Sequence, residues 1–591
     1  MTTSEHTEQS QALITQLITD NLATWTGAIK KRSATGRGSN KKIELAGIKK
    51  LRELILELAV RGKLVPQDPN DEPASVLLEK IAAEKAQLIK DKKIKKTKGL
   101  PEIGEGDKPF ELPKGWEWSH IADIGYNWGQ KKPETQFTYI DVGSINKELG
   151  FIDKPTILSA SKAPSRARKI VKNGTVIYST VRPYLLNIAV INKQFTPEPI
   201  ASTAFAIIHP FSRISSSFIY RYLRSPSFIK YVESCQTGIA YPAINDKQFF
   251  SGLFPIPPLA EQHRIVAKVD QLMVLCDQLE ESTEDSLSAH QCLVEALLAS
   301  LTNSENAAEF KQNWARISAH FDLLFSTEHS IEQLKQTILQ LAVMGKLVPQ
   351  DPNDEPASIL LEKIAVEKTQ LIKDKKIKKQ KPLPAIGEDE QPFSVPDGWL
   401  WSNLSDLLAL VTDGDHQAPP KSDSGVPFLV IGNLNTGSVS FDGCRYVPTS
   451  YFDNLNWGRK PTNGDMLYTV TGSYGIPIKV ISNNQFCVQR HVAILKATKT
   501  SPIQYLGFLF LAKYSFEYAT EIATGIAQKT VPLTGLRKMP IAVPPEQEQH
   551  RIVKKVDELI SLCEQLTTRL NKAQNIQCQL ADTLVNQALK P

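Results

Sequence analysis

One block of this sequence occurs twice almost letter for letter. Leu64–Lys96 and Leu347–Lys379 match at 30 of 33 positions and differ only at Val76/Ile359, Ala83/Val366 and Ala86/Thr369. Both copies open with the loop LVPQDPNDEPAS, at Leu64–Ser75 and Leu347–Ser358. Such a repeat constrains the fold more than any other feature, because whatever surface one copy packs against, the other must find again. Upstream, Ile48, Leu51, Ile55 and Leu58 correspond to Ile331, Leu334, Ile338 and Leu341. Their 3-4-3 spacing is the stripe of an amphipathic helix. Gly62 and Gly345 are expected to end those helices in the left-handed conformation. Ser75 and Ser358 are expected to cap the next helix, with Glu79 and Glu362 nearby. The copies continue into KDKKIKKTK and KDKKIKKQK and close on the tryptophan pairs of GWEWS and GWLWS.

A second repeated block begins at Pro257 (PPLAEQHRIVAKVDQLMVLCDQL) and Pro544 (PPEQEQHRIVKKVDELISLCEQL). Ile265, Val269, Leu272, Cys276 and Leu279 make a heptad seam, repeated by Ile552, Val556, Leu559, Cys563 and Leu566. Leu287, Val294 and Leu301 continue the first seam out of phase, so its helix is expected to run about 40 residues, on the order of 60 Å. The seams are expected to pack against the helix after Ser330 and the N-terminal helix around Ile48–Leu58. Between the blocks the copies share little beyond TGIA, at Thr237–Ala240 and Thr524–Ala527. These stretches are rich in β-branched and aromatic residues, Gly and Pro, and read as modules of many short strands. The expected fold is α+β: two mixed α/β modules separated by long paired helices, an internal pseudo-two-fold repeat. The expected domains are a helical region 1–107, a module 108–256, a helical spacer 257–390, a module 391–543 and a terminal helix 544–591. Two near-identical frames should contact one partner twice; two unlike modules should contact two unlike ligands.

Charge bears on those ligands. The 591 residues carry a net charge of +6, but residues 108–258 hold 18 Lys and Arg against 10 Asp and Glu, and residues 391–545 hold 12 against 10. The excess sits in the modules and favours an anionic ligand, nucleic acid first. No run approaches the roughly 18–20 apolar residues of a membrane helix. The start, MTTSEHTEQSQ, lacks the pattern of an export signal. Seven scattered cysteines without a CxxC pair fit reduced, buried thiols. A cytoplasmic protein without membrane contact is expected.

The sequence resembles the specificity subunit of type I restriction–modification enzymes, the HsdS family, over essentially its whole length. The resemblance rests on ELAVRGKLVPQDPNDEPAS and QLAVMGKLVPQDPNDEPAS, both EQHRIV helices, YSTVRPYLLNIAV, TGIAYPAIN and TDGDHQAPP. It implies that each module is a target recognition domain reading half of a split, asymmetric site in double-stranded DNA, with the helices as spacer. It implies two methyltransferase subunits as partners and, for cleavage, two restriction–translocase subunits. Those partners, not this chain, would use S-adenosylmethionine, ATP and Mg2+, with adenine N6 as the methylated atom. The KDKKIKK segments depart from many shorter relatives, which makes the junction between helix and module a particular question for the structure.

No catalytic or metal site is expected. The Pro-Pro pairs read IPPL, APPK and VPPE, not the polar–Pro–Pro–aromatic loop of an amino-methyltransferase; neither a phosphate-binding loop nor an HExxH or paired-cysteine site is present. Base readout requires forked side chains, Arg for guanine and Asn or Gln for adenine, while Lys, Arg and small polar groups hold phosphates. In the first module Arg182, stiffened by Pro183 and beside Tyr184, suits a base; the alternative is a surface arginine paired with a carboxylate. Arg166, Arg168 and Lys169 suit phosphates or a solvated basic face. Tyr241 and Asn245 lie on a turn-rich loop. In the second module the candidates are Asp415, His416 and Gln417; Thr471, Ser473 and Tyr474 in a Gly-flanked loop; and Gln489, Arg490 and His491, the last equally suited to the core. TDGDHQ also carries a weaker metal-like reading. The lysine runs Lys90–Lys98 and Lys373–Lys381 read as solvated linkers or phosphate contacts. Trp116/Trp118 and Trp399/Trp401 read as packing anchors, or else as stacking partners of a flipped base, which a methyltransferase partner would handle instead. Two rival functions remain: a self-contained DNA methyltransferase or nuclease, opposed by the missing motifs, and a coiled-coil scaffold for proteins only, opposed by the basic modules.

Overall fold

A computed structural model describes residues 16–31, 43–96, 99–238, 241–416, 419–526 and 528–590. The chain forms two compact units, Met1–Ser286 with Lys572–Pro591, and Leu287–Asn571. In the first, helix α1 (Ala46–Val60) buries Ile48, Leu51, Ile55 and Leu58 along its predicted stripe. It closes as expected: Gly62 takes φ +67° and the Lys63 amide donates back to the Leu58 carbonyl at 2.9 Å. A Cβ on Gly62 would lie 2.4 Å from Pro113, so this position also needs the missing side chain.

Helix α2 (Ala74–Lys90) corrects one expectation. It starts before Ser75, with Pro73 at the N-cap and no side-chain cap. A hydroxyl cap is unnecessary because the Ala74 amide donates to the Gly115 carbonyl at 2.8 Å; Ala357 donates to Gly398 at 2.9 Å in the second copy, where Ser358 likewise falls inside the helix. The α2 helix docks on its own module. Glu84 accepts from the Ser212 amide and hydroxyl, and Lys85 pairs with Asp123 at 2.8 Å. The lysine run that follows is solvent-exposed over Lys90–Lys96, and the chain then returns so that Pro101 meets the His120 ring at 3.0 Å. Lys98 lies outside the described residues.

Helix α3 (Leu259–Thr302) spans 44 residues, in line with its seam. Within the first unit it buries Ile265, Val269, Leu272 and Cys276, and Arg52 of α1 binds Asp277 at 2.6 Å and Glu280 at 2.5 Å. In the second unit, α4 (Glu328–Val343) and α5 (Ala357–Lys373) repeat α1 and α2. Helix α6 (Glu546–Ala588) puts Ile552, Val556 and Cys563 into one core with Ile331, Leu334 and Ile338, which Val294, Leu298 and Leu301 of α3 complete. Each seam therefore packs with the repeat helix of its own unit. The tail of α6 belongs to the first unit, where Asp582 meets Lys50 at 3.4 Å and the Lys590 carbonyl accepts from Lys63 Nζ at 2.9 Å. Lys346, the counterpart of Lys63, donates to the Thr302 and Ser304 carbonyls at 2.7 and 2.9 Å. A cation at the carbonyl end of a helix is where the helix dipole favours it.

One hydrogen-bonded knot ties the repeated pieces together. Trp116 Nε1 donates to Glu261 Oε2 at 2.9 Å, Gln67 reaches the other oxygen at 3.4 Å, and Arg264 forks onto Asp71 at 2.6 and 3.3 Å. The second copy has Trp399 on Glu548 at 3.0 Å, Gln350 at 3.2 Å, and Arg551 on Asp354 at 2.6 and 3.2 Å. The twelve-residue loop, the tryptophan segment and the EQHRIV helix each contribute a partner, so the three are duplicated together. Trp116 and Trp399 are thus packing anchors, as expected.

The modules share a topology that their sequences conceal. The first has an antiparallel sheet in the order Ile188–Val190, Val176–Ser179, Phe205–Pro210, Gly125–Tyr126; the second has Pro477–Lys479, Met466–Thr469, Val492–Lys496, Leu410–Asp413. Beside each lies a sheet with one parallel pair, Phe137–Ile140 with Pro199–Ser202, and Val426–Leu429 with Cys487–Val488. In each module the first and last strands pair antiparallel, Glu117–His120 with Leu253–Ile256 and Leu400–Asn403 with Pro540–Val543. Entry and exit therefore lie side by side at the knot. Among the described residues no helix is long and apolar enough to cross a membrane.

Burial lifts the Glu261 carboxyl from 4.5 to about 7, against the Trp116 and Gln67 hydrogen bonds and the nearby Arg264 charge. Since the folded value exceeds the unfolded one, this group adds stability as pH falls from about 7 towards 4.5 and none of that gain remains above 7. Glu261→Gln keeps an acceptor for Trp116 but cannot titrate. Thermal midpoints across pH 4.5–8 are expected to show the wild-type protein gaining on the variant as pH falls; parallel curves would contradict the assignment.

Candidate nucleic-acid interface

The candidate residues gather where a buried strand ends against a hairpin. In the first module Val176–Ser179 is buried throughout, and Ser179 Oγ donates to the Val181 carbonyl at 2.9 Å as the chain leaves the sheet. Arg182 then takes φ +50°, an uncommon conformation for a side chain other than Gly. Its amide donates to the Pro242 carbonyl at 2.8 Å, and the Ile244 amide donates to Thr180 at 3.0 Å. These bonds clamp the strand end to the TGIA hairpin, which closes by reciprocal bonds between Thr237 and Ala243 at 2.8 and 2.9 Å. Gly238 sits at φ +92°, where a Cβ would lie 2.8 Å from the Tyr241 carbonyl oxygen. Tyr241 is 70% exposed, and the Arg182 guanidinium lies 4.9 Å from its ring centroid. Such a cation–π contact orients the fork without consuming its donors. Tyr184 is exposed beside them.

Asn245 and Lys169 of the first module are engaged within the structure. Asn245 caps the helix Asp246–Ser251, accepting from the Gln248 amide at 2.9 Å. Lys169 is mostly covered and pairs with Asp246 at 3.1 Å. Arg168 is half-buried and Arg166 exposed.

The second module builds the same clamp. Gly472, at φ +73°, donates to the Lys529 carbonyl at 3.1 Å; the Val531 amide donates to Val470 at 2.8 Å; Thr524 and Thr530 exchange bonds at 2.9 and 2.8 Å. Gly525 takes φ +102°, and a Cβ there would lie 2.5 Å from the Gln528 carbonyl oxygen. Sequence reasoning missed Gln528 and Lys529, both exposed on this hairpin. The signal was available: counting four residues from each TGIA threonine pairs Tyr241 with Gln528.

Tyr474 differs from its counterpart Tyr184, for it stacks on Phe516 at 5.7 Å and 6° and bonds Thr520 at 3.1 Å. Ser473 is exposed next to it. Asp415 is held by Arg459 at 2.6 Å and the Tyr451 hydroxyl at 3.1 Å, and its backbone bridges Gln489. The exposed His416 ring meets Asp413 at 2.9 Å. Arg490 is exposed; burial and the Arg490 charge push the His491 imidazole down, favouring its neutral form. Gln417 lies outside the described residues, as do Ile239, Ala240 and Ala527 of the two TGIA stretches. Among the described residues no group of His, Cys, Asp and Glu gathers as a metal site.

Two copies of one α/β module, each with a polar head of exposed side chains on a backbone-bonded neck, the clamp, and each set in a duplicated helical frame, define a bipartite recognition architecture. Residues 113–289 and 396–575 match the family model described as the type I restriction modification DNA specificity domain. The chain is 41% identical over 603 residues to the type I restriction enzyme EcoAI specificity subunit of Escherichia coli, covering 98% of this chain and all of that one. It is 40% identical over 607 residues to the EcoEI specificity subunit of the same species, with the same coverage. A crystal structure of the HsdS subunit from Thermoanaerobacter tengcongensis is 23% identical, with a TM-score of 0.41 over 82% of this chain and 98% of that one. The chain belongs to the type I restriction–modification specificity subunit family.

The clamp makes its glycines testable. Gly525→Ala forces a side chain into φ +102° and against the Gln528 carbonyl, a cost of about 1–3 kcal/mol. The expected outcome is faster proteolysis within Thr524–Thr530 with the helical frame intact; unchanged cleavage there would show the hairpin tolerates another path.

Proposed function

We propose that this chain is the non-catalytic DNA-specificity subunit of a type I restriction–modification complex. Each module reads one half of a bipartite, asymmetric site in double-stranded DNA. The long helices space the modules and carry two methyltransferase subunits and, in the full complex, two ATP-driven restriction–translocase subunits. Those partners supply S-adenosylmethionine, ATP and Mg2+ chemistry. The observation that carries the reading is the clamp itself: one backbone device built twice, with unlike exposed residues on each copy, above a frame that barely differs. A scaffold for proteins alone gives no reason for the heads to diverge while their necks stay constant. Full-length relatives named as type I specificity subunits, similar along 98% of the chain, support it further.

Within this reading Arg182 and Tyr184 face base edges in one half-site; Tyr241 steadies the arginine; Arg166 and Arg168 face phosphates, and Asn245 and Lys169 hold the loop that presents them. In the other half-site the exposed His416, Ser473 and Arg490 and the half-buried Gln489 face the DNA, with Asp415 and Tyr474 supporting them. The test is selection of bound sequences from random duplex DNA by the chain assembled with its methyltransferase partner. A split target is expected, and exchanging residues 108–256 for another module should change one half only. Arg182→Ala is expected to lose about 1–3 kcal/mol of preference at a single base pair. Loss spread equally over all sequences would make Arg182 a phosphate contact, and a target altered in both halves by the exchange would overturn independent reading.

A further inference from the structure

The two heads differ most at the left-handed position. The first module has Arg182 there, projecting beside Tyr241. The second has Gly472, which projects nothing. The space is nevertheless occupied: a Cβ built on Gly472 would lie 3.2 Å from Nε2 of Gln528. Gln528 stands where Tyr241 stands in the first hairpin, since Gly472 is bonded to Lys529 as Arg182 is bonded to Pro242. Its carboxamide therefore covers the ground that the arginine takes in the first module. Both heads end in a planar, forked polar group, and the two forks come from different strands of the clamp.

Resting on the proposed reading of DNA by both modules, the geometry points to Gln528 as a specificity-determining residue of the second half-site, the counterpart of Arg182. A carboxamide offers one donor and one acceptor side by side, the complement of adenine N6 and N7 in the major groove; a guanidinium offers two donors, the complement of guanine O6 and N7. Gly472 is part of the device, because a larger side chain would push the carboxamide away. The ligand class is thus an adenine-containing base pair in the second half-site, set against a guanine-containing pair under Arg182.

The full-length chain, assembled with its methyltransferase partner, is tested by selection from random duplex DNA. Gln528→Ala is expected to lower the preference for adenine at one base pair of the second half-site by roughly 10- to 100-fold, leaving the first half-site as internal control. The double variant Gly472→Arg with Gln528→Tyr transplants the first head and is expected to shift that base pair from adenine to guanine. An unchanged profile for Gln528→Ala, a uniform affinity loss, or lost preference for a base other than adenine would each overturn the assignment. Thermal midpoints equal to wild type show that the variants fold. If the unaltered assembly selects no split sequence, the recognition reading fails instead, and the two failures are distinguishable.

Discussion

A buried carboxylate organises this molecule. Glu261 and Glu548 are 2% and 1% exposed, and a carboxylate out of water is costly unless donors reach it. Each is reached by an indole N–H from the tryptophan segment and an amide from the repeated loop, while the arginine one turn along the helix forks onto the same loop. Three segments distant in sequence must arrive together for either carboxylate to be satisfied. That requirement ties the loop, the tryptophan segment and the EQHRIV helix to one another in both copies. Drift in one segment strands a polar group in the other two, whereas Ala83/Val366 and Ala86/Thr369 lie on the helix away from the knot and tolerate change.

The first and last strands of each module pair beside the knot, and α2 or α5 docks on the same module, so the frame holds a module along one side and leaves the rest to diverge. Its interior shows how that happens without loss of topology. His209 meets Thr175 at 3.0 Å in the first module. The register of the central strands puts Lys496 and Asp465 at the corresponding places in the second, paired at 2.6 Å with neither exposed. One neutral hydrogen bond has been exchanged for a buried ion pair, both partners at once. Changing one partner alone would leave a buried charge uncompensated. The clamp follows the same logic at the surface: its backbone bonds recur, and only the side chains that leave it are new.

The lysine runs follow directly on the helices that dock on the modules. Helices α2 and α5 dock on their modules through Glu84 and Lys85, and through Glu367 and Lys368, so the turns carrying the lysines begin where that contact ends. Lys92 and Lys375, both at φ +57°, turn the chain back towards the module.

The duplicated blocks, helix stripes, terminating glycines and α3 length were all determined by the sequence, because these are local signals with a fixed period. The clamp's position was half legible through TGIA and the arginine–proline step. Tertiary structure alone decided the rest. The modules' common topology was hidden because their central strands are buried on both faces and so lack the alternation that marks a strand. Ser75 lost its capping role to a carbonyl at Gly115, a partner no local pattern announces. Asn245 and Lys169 resemble DNA contacts by residue type, yet the fold gives them a helix cap and an ion pair. Gln528 became visible only once two hairpins of unlike sequence shared the same backbone bonds. Residue type states which bonds a side chain is able to make; which of them it does make depends on neighbours that only the folded chain brings within reach.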